Sequence, residues 1–321
     1  MAASVLQPNE LVAVELRQFR GSDLENLLDE QAAVWSDELQ WDFASSKETL
    51  LRFIDGKTLQ GFALLRHGLP IGYSYFIHED HKAMVGDLFI TRSERDQRTE
   101  TMLLLRTLRA AAVYPGVRRI EGQLLTLAGD LATEAVYGEK LQRYERVLML
   151  ADRSPPRDVP PGARPFDFRT WTHEDLNRTA DLIYSAYQGH VDSLLNDQYR
   201  SLAGTRKFLF NSTQHPGCGA FFAAGARAAT DPLTGEMAGV CLGSQVKEKV
   251  GHITQLCVAP RYQRQGAGRD LLRQSLDACW RHGCEAVSLT VTSSNRAAVK
   301  LYESVGFRVH RQFLAFVWEI G

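Results

Sequence analysis

The pattern of apolar and polar positions predicts a similar succession of strands and helices in each half of the chain. In the second half it predicts strands near Phe166–Trp171, Ala220–Ala226, Met237–Gln245, His252–Ala259 and Ala286–Thr292. Helices are predicted over Gly268–His282 and Arg296–Val305, and the segment Phe307–Glu319 is predicted to be extended. Mixed strands with interposed helices favour an α+β fold, in which helices cover both faces of a sheet.

A cluster of prolines divides the chain near its middle. Four of the eleven prolines fall between Ala151 and Gly162. Proline fixes φ and lacks a backbone donor, so this stretch is unsuited to a helix or a central strand. The chain has 321 residues, about twice the typical domain length of roughly 150. We therefore predict domains over 1–152 and 165–321, joined by an extended linker over 153–164; the alternative is one domain with a long ordered loop.

The two halves show a weak internal repeat. A shift of 168 residues places 88–90 over 256–258, and 103–104 over 271–272. A different shift, of 152 residues, aligns the first predicted strands of the two halves. Because the matches are few and the offsets differ, we expect a diverged duplication with insertions.

Composition and charge are those of an ordinary globular protein. Hydrophobic residues make up 44% and charged residues 23% of the chain. The formal net charge of −1 argues against nucleic-acid binding, which normally requires a basic surface. There are five cysteines and no Cys-x-x-Cys pair, so we expect reduced thiols, no metal site and a cytoplasmic location. We see no secretory leader and no uninterrupted run of 18 apolar residues, so no membrane span is expected.

The most informative stretch is 258–272. An apolar strand ends at Pro260, and a polar turn then carries Gly266 and Gly268 into a helix. Such a turn lets the backbone approach a ligand, and the helix dipole with its unpaired N–H groups favours a phosphate or pyrophosphate. It is neither a P-loop, because Arg269 follows Gly268, nor a dinucleotide fingerprint, because Leu271 replaces the third glycine. The alternative is a turn whose glycines serve tight packing only.

A second informative stretch, 292–307, carries a tyrosine on the apolar face of a helix. Ser294 or Asn295 can cap this helix, and Gly306 suits its C-terminal end. Tyr302 lies among apolar positions. It is either a core residue with a satisfied hydroxyl or a proton donor whose hydroxyl points into a cleft.

Together, the two stretches resemble the GNAT superfamily of acetyl-CoA-dependent N-acyltransferases. The Gln/Arg-x-x-Gly-x-Gly/Ala motif is matched by Gln263–Gly268, preceded by the Leu-x-Val pattern of Leu256–Val258. The Asn-x-x-Ala-x-x-Leu-Tyr-x-x-x-Gly-Phe pattern is matched by Asn295–Phe307. The resemblance covers roughly Pro165–Gly321. It implies two GNAT-like domains in tandem, each a mixed, mostly antiparallel sheet with helices on both faces.

The resemblance also implies a mechanism and its residues. Acetyl-CoA would donate its acetyl group directly to a neutral primary amine of a small molecule or peptide, without a metal. The backbone N–H of Leu256 would polarise the thioester carbonyl, and Tyr302 would protonate the departing thiolate. A splay between the strands near Leu256 and Ala286–Thr292 would form the cleft. The implied cofactor-binding residues are Leu256, Cys257, Val258, Gln263, Arg264, Gln265, Gly266, Ala267, Gly268, Arg269 and Asn295.

The general base and the acceptor site are less defined. Some members of the superfamily place a glutamate where His252 stands here, so His252 is the candidate base, with Glu248 as substitute. We expect Cys257 to pack beside the cofactor, since no His/Asp partner is recognisable for a covalent acyl-cysteine. The acceptor wall would come from 182–215, a segment that contains Tyr184, Tyr187, His190, Asp192, Asp197, Tyr199 and Phe208.

The first half departs from the family pattern at the aligned turn. Arg98 and Glu100 stand where the glycines belong, and the Glu100 carboxylate would repel a pyrophosphate. Asp130 falls near the position of Asn295, and Tyr137 loosely echoes Tyr302. We therefore expect a degenerate first domain without CoA binding, in a monomer or homodimer. The alternatives for the whole protein are a non-catalytic acyl-CoA-binding or sensing protein and a mycothiol-synthase-like acetyltransferase.

Overall fold

The computed structural model describes residues 11–127, 141–153, 165–214 and 219–320. The chain forms two compact units, Met1–Glu145 with Gln312–Gly321 and Arg146–Arg311. These ranges differ from the predicted domains 1–152 and 165–321, because the last residues of each predicted domain, 146–152 and 312–321, belong with the opposite unit. Apart from Arg153, the predicted linker 153–164 lies outside the described residues, as do Asp130 and Tyr137.

The first unit is an α+β sandwich. Its elements are β1 (Leu11–Glu15), α1 (Gly21–Val34), α2 (Ala44–Asp55), β2 (Gln60–Arg66), β3 (Leu69–Glu79), β4 (Lys82–Ile90), α3 (Gln97–Ala112) and β5 (Arg119–Leu124). The strands pair in chain order, and only β4 and β5 are parallel. The apolar stripe of α3 packs on one face of the sheet, and α1 and α2 pack on the other.

The second unit has the same architecture. Its elements are β7 (Asp167–Thr170), α4 (Leu176–Ala186), α5 (Val191–Leu195), α6 (Leu202–Gln214), β8 (Ala220–Phe221), β9 (Arg227–Thr230), β10 (Met237–Lys247), β11 (Val250–Val258), α7 (Ala267–Arg281), β12 (Ala286–Thr292) and α8 (Arg296–Ser304). Helices α7 and α8 cover one face, and α4 and α6 cover the other. The predicted fold class, mixed sheets with helices on both faces, is confirmed.

Two long strands, β6 (Leu141–Asp152) and β13 (Arg308–Glu319), cross the boundary between the units. Residues 146–152 of β6 pair antiparallel with β12 and complete the sheet of the second unit. Residues 314–319 of β13 pair antiparallel with β5 and complete the sheet of the first unit. Each unit therefore takes its last strand from a distant part of the sequence, which is why the predicted boundaries differ from the observed ones.

One predicted strand is wrong. The segment Ala220–Ala226 contains only the two-residue β8, followed by a 3₁₀ turn over Ala223–Gly225. The strand that pairs with β10 and β7, which is β9, begins at Arg227 instead. Alanine and glycine in this stretch carry little strand preference, so the apolar pattern alone could not locate the strand.

The two units share a local irregularity, which supports a duplication. The parallel pairing joins Lys82–Val85 to Arg119–Gly122 in one unit and Val250–Ile253 to Ala286–Leu289 in the other. Immediately afterwards the ladder with the preceding antiparallel strand skips one residue, Gly86 or Thr254, as a β-bulge does. Beyond that point the two parallel strands no longer pair. In the second unit, this is the predicted splay between β11 and β12.

Candidate active site

The turn after β11 adopts the backbone conformation that its glycines suggest. Gly266 has φ 99°, in the left-handed region, and is the N-cap of α7 with no side-chain cap. Arg264 also has a positive φ, 60°. Helix geometry leaves the first N–H groups of α7 without intrahelical acceptors, so they are available to an anion. A Cβ on Gly268 would lie 3.3 Å from Val258 Cγ2, so this glycine also lets the helix start lie close to β11.

The end of β11 presents backbone groups to the splay. Ala259 N donates to Ala238 O of the β10 side at 2.9 Å. Because N–H directions alternate along a strand, the N–H groups of Leu256 and Val258 point away from β10, to the side that β12 has left. On that side, Gln263 Nε2 donates to Val258 O at 3.2 Å and ties the turn to the strand. Leu256 therefore lies where its predicted role requires an exposed donor.

Tyr302 is buried on α8, with 9% of its surface exposed. Its ring packs against Phe307 at a centroid distance of 6.0 Å. Its hydroxyl makes no hydrogen bond to any residue in the described ranges, which is unusual for a core tyrosine. Burial raises the Tyr302 pKa well above its ordinary value, so the hydroxyl keeps its proton at neutral pH. These properties suit a proton donor.

The two candidate general bases, His252 and Glu248, are poorly placed to accept a proton from the amine. His252 is buried, and its Nδ1 lies 2.9 Å from Ser288 Oγ. Burial, together with the nearby Arg146 charge, lowers the pKa of His252 to about 3, which makes it a weak proton acceptor. It lies four positions before Leu256, a distance of about 13 Å along a strand. Glu248 is exposed in the turn between β10 and β11, farther still from Leu256.

A tyrosine pair covers the sheet beside the bulge. Gln255, the first residue after the bulge, donates from Nε2 to Tyr187 Oη at 2.9 Å and accepts from Tyr199 Oη at 3.3 Å. The two tyrosine rings stack at 4.2 Å, and Phe208 packs edge-on against Tyr199 at 5.4 Å. Gln255 was not predicted as a site residue, because neither the bulge nor the direction of the side chain that follows it is visible in the sequence.

A second cluster ties α5 to the ends of β12 and α8. Thr292 Oγ1 donates to Asp192 Oδ1 at 2.5 Å, and Asp192 N donates to His190 Nδ1 at 3.1 Å. Asn295 caps α8 by accepting from Ala298 N at 3.2 Å, and its Nδ2 lies 3.1 Å from His190 Nε2. The Asn295 side chain therefore positions α8 and His190 in this structure.

The predicted acceptor wall is thus assembled in part. Tyr187, His190, Asp192 and Tyr199 come together with Gln255, Thr292 and Asn295 in these two clusters. Tyr184 is half-buried on α4 and joins neither cluster. Its backbone carbonyl accepts a hydrogen bond from Gln188 Nε2. Asp197 lies in the 3₁₀ turn Asp197–Arg200 that carries Tyr199.

Arg146 was not predicted as a site residue. It is 93% buried, or 7% exposed, and it stands on β6 directly across from Thr292. One of its terminal nitrogens donates to Thr290 Oγ1 at 3.3 Å, whereas its buried Nε has no hydrogen-bond partner. Arg146 forms no ion pair within the described part of the chain.

The corresponding region of the first unit is closed by its own side chains. Asp96 caps α3 and accepts from Thr99 N at 2.7 Å. Arg95 Nε bonds Glu100 Oε1 at 2.7 Å and its guanidinium also reaches Thr126 O. Thr126 Oγ1 in turn donates to Leu88 O at 3.2 Å, at the position that corresponds to Leu256. The backbone positions that would face a ligand are therefore engaged within the unit.

Two negative findings bear on other kinds of site. No helix among the described residues is long and apolar enough to cross a membrane. Over the same ranges, no group of three or more His, Cys, Asp or Glu side chains could hold a metal ion.

Comparison with known sequences finds a family model that matches part of the second unit. Residues 188–307 match the model of the acetyltransferase (GNAT) family. The chain is 41% identical over 73 residues to the [ribosomal protein bS18]-alanine N-acetyltransferase of Escherichia coli K12, covering 23% of this chain and 49% of the relative. It is 35% identical over 68 residues to human N-alpha-acetyltransferase 30, covering 20% of this chain and 19% of the relative. The chain therefore spans about half the length, or less, of these curated relatives.

Comparison of structures extends the likeness to both units. A GCN5-related N-acetyltransferase from Sphaerobacter thermophilus aligns with a TM-score of 0.68 and 16% identity, over 96% of this chain and 95% of that one. A tandem GNAT protein from the clavulanic acid biosynthesis pathway aligns with a TM-score of 0.58 and 15% identity, over 97% and 99%. At these identities the likeness establishes the fold, and it confirms the expected tandem GNAT arrangement.

Proposed function

We propose that this GNAT-fold protein is an acetyl-CoA-dependent N-acetyltransferase whose active site lies in the second unit. One observation carries the proposal. The uncapped start of α7 lies at the end of β11, the strand that splays from β12, and the same unit holds a buried tyrosine whose hydroxyl is unpartnered in the described structure. A phosphate cradle, a cleft and a proton donor are what the family's reaction requires.

The donor fits the backbone of this unit. The N–H groups that follow Gly266 at the start of α7 would hold the pyrophosphate of acetyl-CoA, aided by the helix dipole. The pantetheine arm would run along the open edge of β11 and pair with Leu256 and Val258 as an added strand would. Cys257 is buried in the apolar cluster that contains Tyr199. Burial raises the pKa of its thiol to about 12, so Cys257 stays protonated at neutral pH and does not act as a nucleophile.

The transfer needs few side chains. The amine nitrogen of the acceptor bonds to the thioester carbon, the Leu256 N–H stabilises the charge that develops on the carbonyl oxygen, and the carbon–sulfur bond breaks. Tyr302 gives its proton to the departing sulfur, the amine loses one proton to water, and water returns a proton to Tyr302. Holding donor and acceptor together supplies roughly 7–11 kcal/mol of the barrier, so positioning is the main contribution of the protein. We do not assign a base role to His252 or Glu248.

We further propose that the first unit does not bind CoA. Its helix start is capped by Asp96, and its strand carbonyl at Leu88 is bonded by Thr126. A ligand would have to displace both contacts and to lie beside the Glu100 carboxylate.

The substitution Tyr302→Phe tests the enzymatic function. We expect kcat to fall about 100-fold or more with an amine acceptor, because the departing thiolate loses its positioned acid, while the Kd for acetyl-CoA stays within about twofold. Turnover is measured by CoA release and the Kd by calorimetry. Tyr114→Phe, in the first unit, is the matched control and should change neither quantity.

The same experiment separates the enzyme from a non-catalytic acyl-CoA sensor. A sensor binds acetyl-CoA and releases no CoA with any amine, whether a small molecule or a peptide N-terminus. Absence of acetyl-CoA binding in the wild-type protein would contradict both functions. No contact in the described residues favours a mycothiol-synthase-like acceptor.

A further inference from the structure

The buried Arg146 calls for an anion that the described chain does not supply. A guanidinium loses its hydration on burial, and proteins normally compensate with a carboxylate or a full set of hydrogen bonds. Arg119 in the first unit shows the usual solution, since it is 1% exposed and pairs with both Glu121 and Glu319. Arg146 has only the Thr290 hydroxyl, and its Nε is left without a partner.

The position of Arg146 places this unmet requirement in the proposed acceptor cleft. Cross-strand partners project to the same face of a sheet, so the Arg146 and Thr292 side chains share the face that carries the tyrosine pair. Residues Ser288, Thr290 and Thr292 alternate along that face of β12. The guanidinium therefore lies over β12, between the Asp192–Thr292 contact and the His252–Ser288 contact.

A carboxylate of opposite charge stands nearby and is not joined to Arg146. Asp192 is held by Thr292, the cross-strand neighbour of Arg146, yet the two form no ion pair within 4 Å. Burial is the main cause of the raised pKa of Tyr199 and of Tyr302, and in both cases the Asp192 charge adds to the rise whereas the Arg146 charge opposes it. A cation and an anion separated beside the proton donor form a pair of subsites for a molecule with both charges.

We propose that the acceptor is an amino-carboxylate, whose carboxylate binds the Arg146 guanidinium while its amine lies on the Asp192 side of the cleft, near Tyr302. This rests on the proposed function and specifies its substrate class. Arg146 is then a specificity residue. A guanidinium can pair with a carboxylate through two parallel hydrogen bonds, which would use the Nε that is now unpartnered.

The test uses matched pairs of amines that differ only in carrying a carboxylate or a carboxamide. Binding to the CoA-saturated protein is measured by calorimetry, and turnover of acetyl-CoA by CoA release. We expect the carboxylate member of the favoured pair to bind at least 10-fold more tightly. Arg146→Met should weaken its binding on the order of 10–100-fold and leave the carboxamide within about twofold, and Arg146→Lys should restore part of the loss.

The controls separate recognition from a structural role. Arg308→Met removes an exposed arginine that pairs with Asp152 in the same unit, and it should leave the preference unchanged. If Arg146 is purely structural, Arg146→Met lowers the thermal unfolding midpoint and weakens both members of each pair equally, which overturns the proposal. Equal binding of carboxylate and carboxamide by the wild type, or preference for an aminophosphonate over the carboxylate, also overturns it.

Failure of the proposed function is distinguishable from failure of this inference. If the amino-carboxylate binds in an Arg146-dependent manner and acetyl-CoA releases no CoA, the result supports the carboxylate subsite and contradicts the acetyltransferase function. If acetyl-CoA releases CoA at equal rates with the carboxylate and the carboxamide as acceptor, the result supports the acetyltransferase function and contradicts the carboxylate subsite.

Discussion

The starts of α3 and α7 are equivalent positions of one fold with opposite properties. At α3 the Asp96 carboxylate occupies the first amides, and the helix begins at Gln97. At α7, under an offset of 168 residues, the helix begins two positions later, after Gly266 in a left-handed conformation and without a side-chain cap. The same helix end is therefore closed by its own anion in one unit and available to an external anion in the other.

The splayed strands differ in the same sense. In the first unit Thr126 bonds the carbonyl of Leu88 and fills the strand edge. The residue after the bulge is Asp87, buried with Gln31 and Tyr73, whereas in the second unit it is Gln255, bonded to Tyr187 and Tyr199. The two units thus share the bulge and the register of their parallel strands. A few side chains at equivalent positions decide whether the region is filled by the protein itself or forms a candidate site.

Gly268→Glu places in the second unit the residue type that Glu100 provides at the equivalent position of the first. Of the changes considered, it should have the largest effect, which is on acetyl-CoA binding. We expect acetyl-CoA to bind on the order of 1,000-fold more weakly, because the side chain fills the cradle and about two charge-assisted hydrogen bonds are lost. Calorimetry measures the change. Ala297→Glu adds the same charge at an exposed position of α8 and should leave binding unchanged; unaltered binding by Gly268→Glu would argue that the cradle lies elsewhere.

Asp87→Asn tests the residue after the bulge. Burial raises the pKa of Asp87 to about 6, above the unfolded value near 4, so its stabilising contribution is present below about pH 4 and is lost as the pH rises through 6. An amide, as in Gln255, cannot titrate. We expect the variant to gain stability relative to wild type by up to about 3 kcal/mol between pH 4 and 7.

Urea denaturation at the two pH values measures this difference. Asp277→Asn, at an exposed position of α7, is the control and should show no such dependence. A stability difference for Asp87→Asn that is the same at both pH values would contradict the raised pKa.

Asp96→Ala opens the start of α3 and should have the smallest effect. Loss of the cap is expected to cost about 1 kcal/mol of unfolding free energy. The Thr99 N–H holds the pKa of Asp96 below its usual range, so this stabilisation is present near neutrality and is lost as the pH falls, the opposite sign to Asp87.

CoA binding to the first unit should not appear in this variant, since Glu100 and Thr126 still occupy the region. The test is made in the Gly268→Glu background, where any residual binding would report on the first unit. Asp96→Asn preserves the cap and should unfold as wild type does. A second binding event with Asp96→Ala would indicate that the cap alone closes the site.

Much of the second unit could be predicted from the sequence. Strand Ala286–Thr292 was located to the residue, and α7 and α8 to within one residue at each end, because their apolar periodicity is strong and glycine or asparagine marks their ends. His252 shows the limit of such reasoning. Its residue type suits a base, yet its burial beside Ser288 and Arg146 removes its basicity, and burial depends on neighbours distant in sequence.

The sequence by itself determined the order of the elements, the tandem repeat and the glycine turn, because these depend on local preferences and spacing. Only the tertiary structure decided which unit each of β6 and β13 completes, where the bulges fall, and that Arg146 is buried opposite Thr292, the residue that holds Asp192. Strand pairing and desolvation are non-local, so a charged residue beside a proline-rich segment gave no sign that it would be buried in the acceptor cleft proposed here.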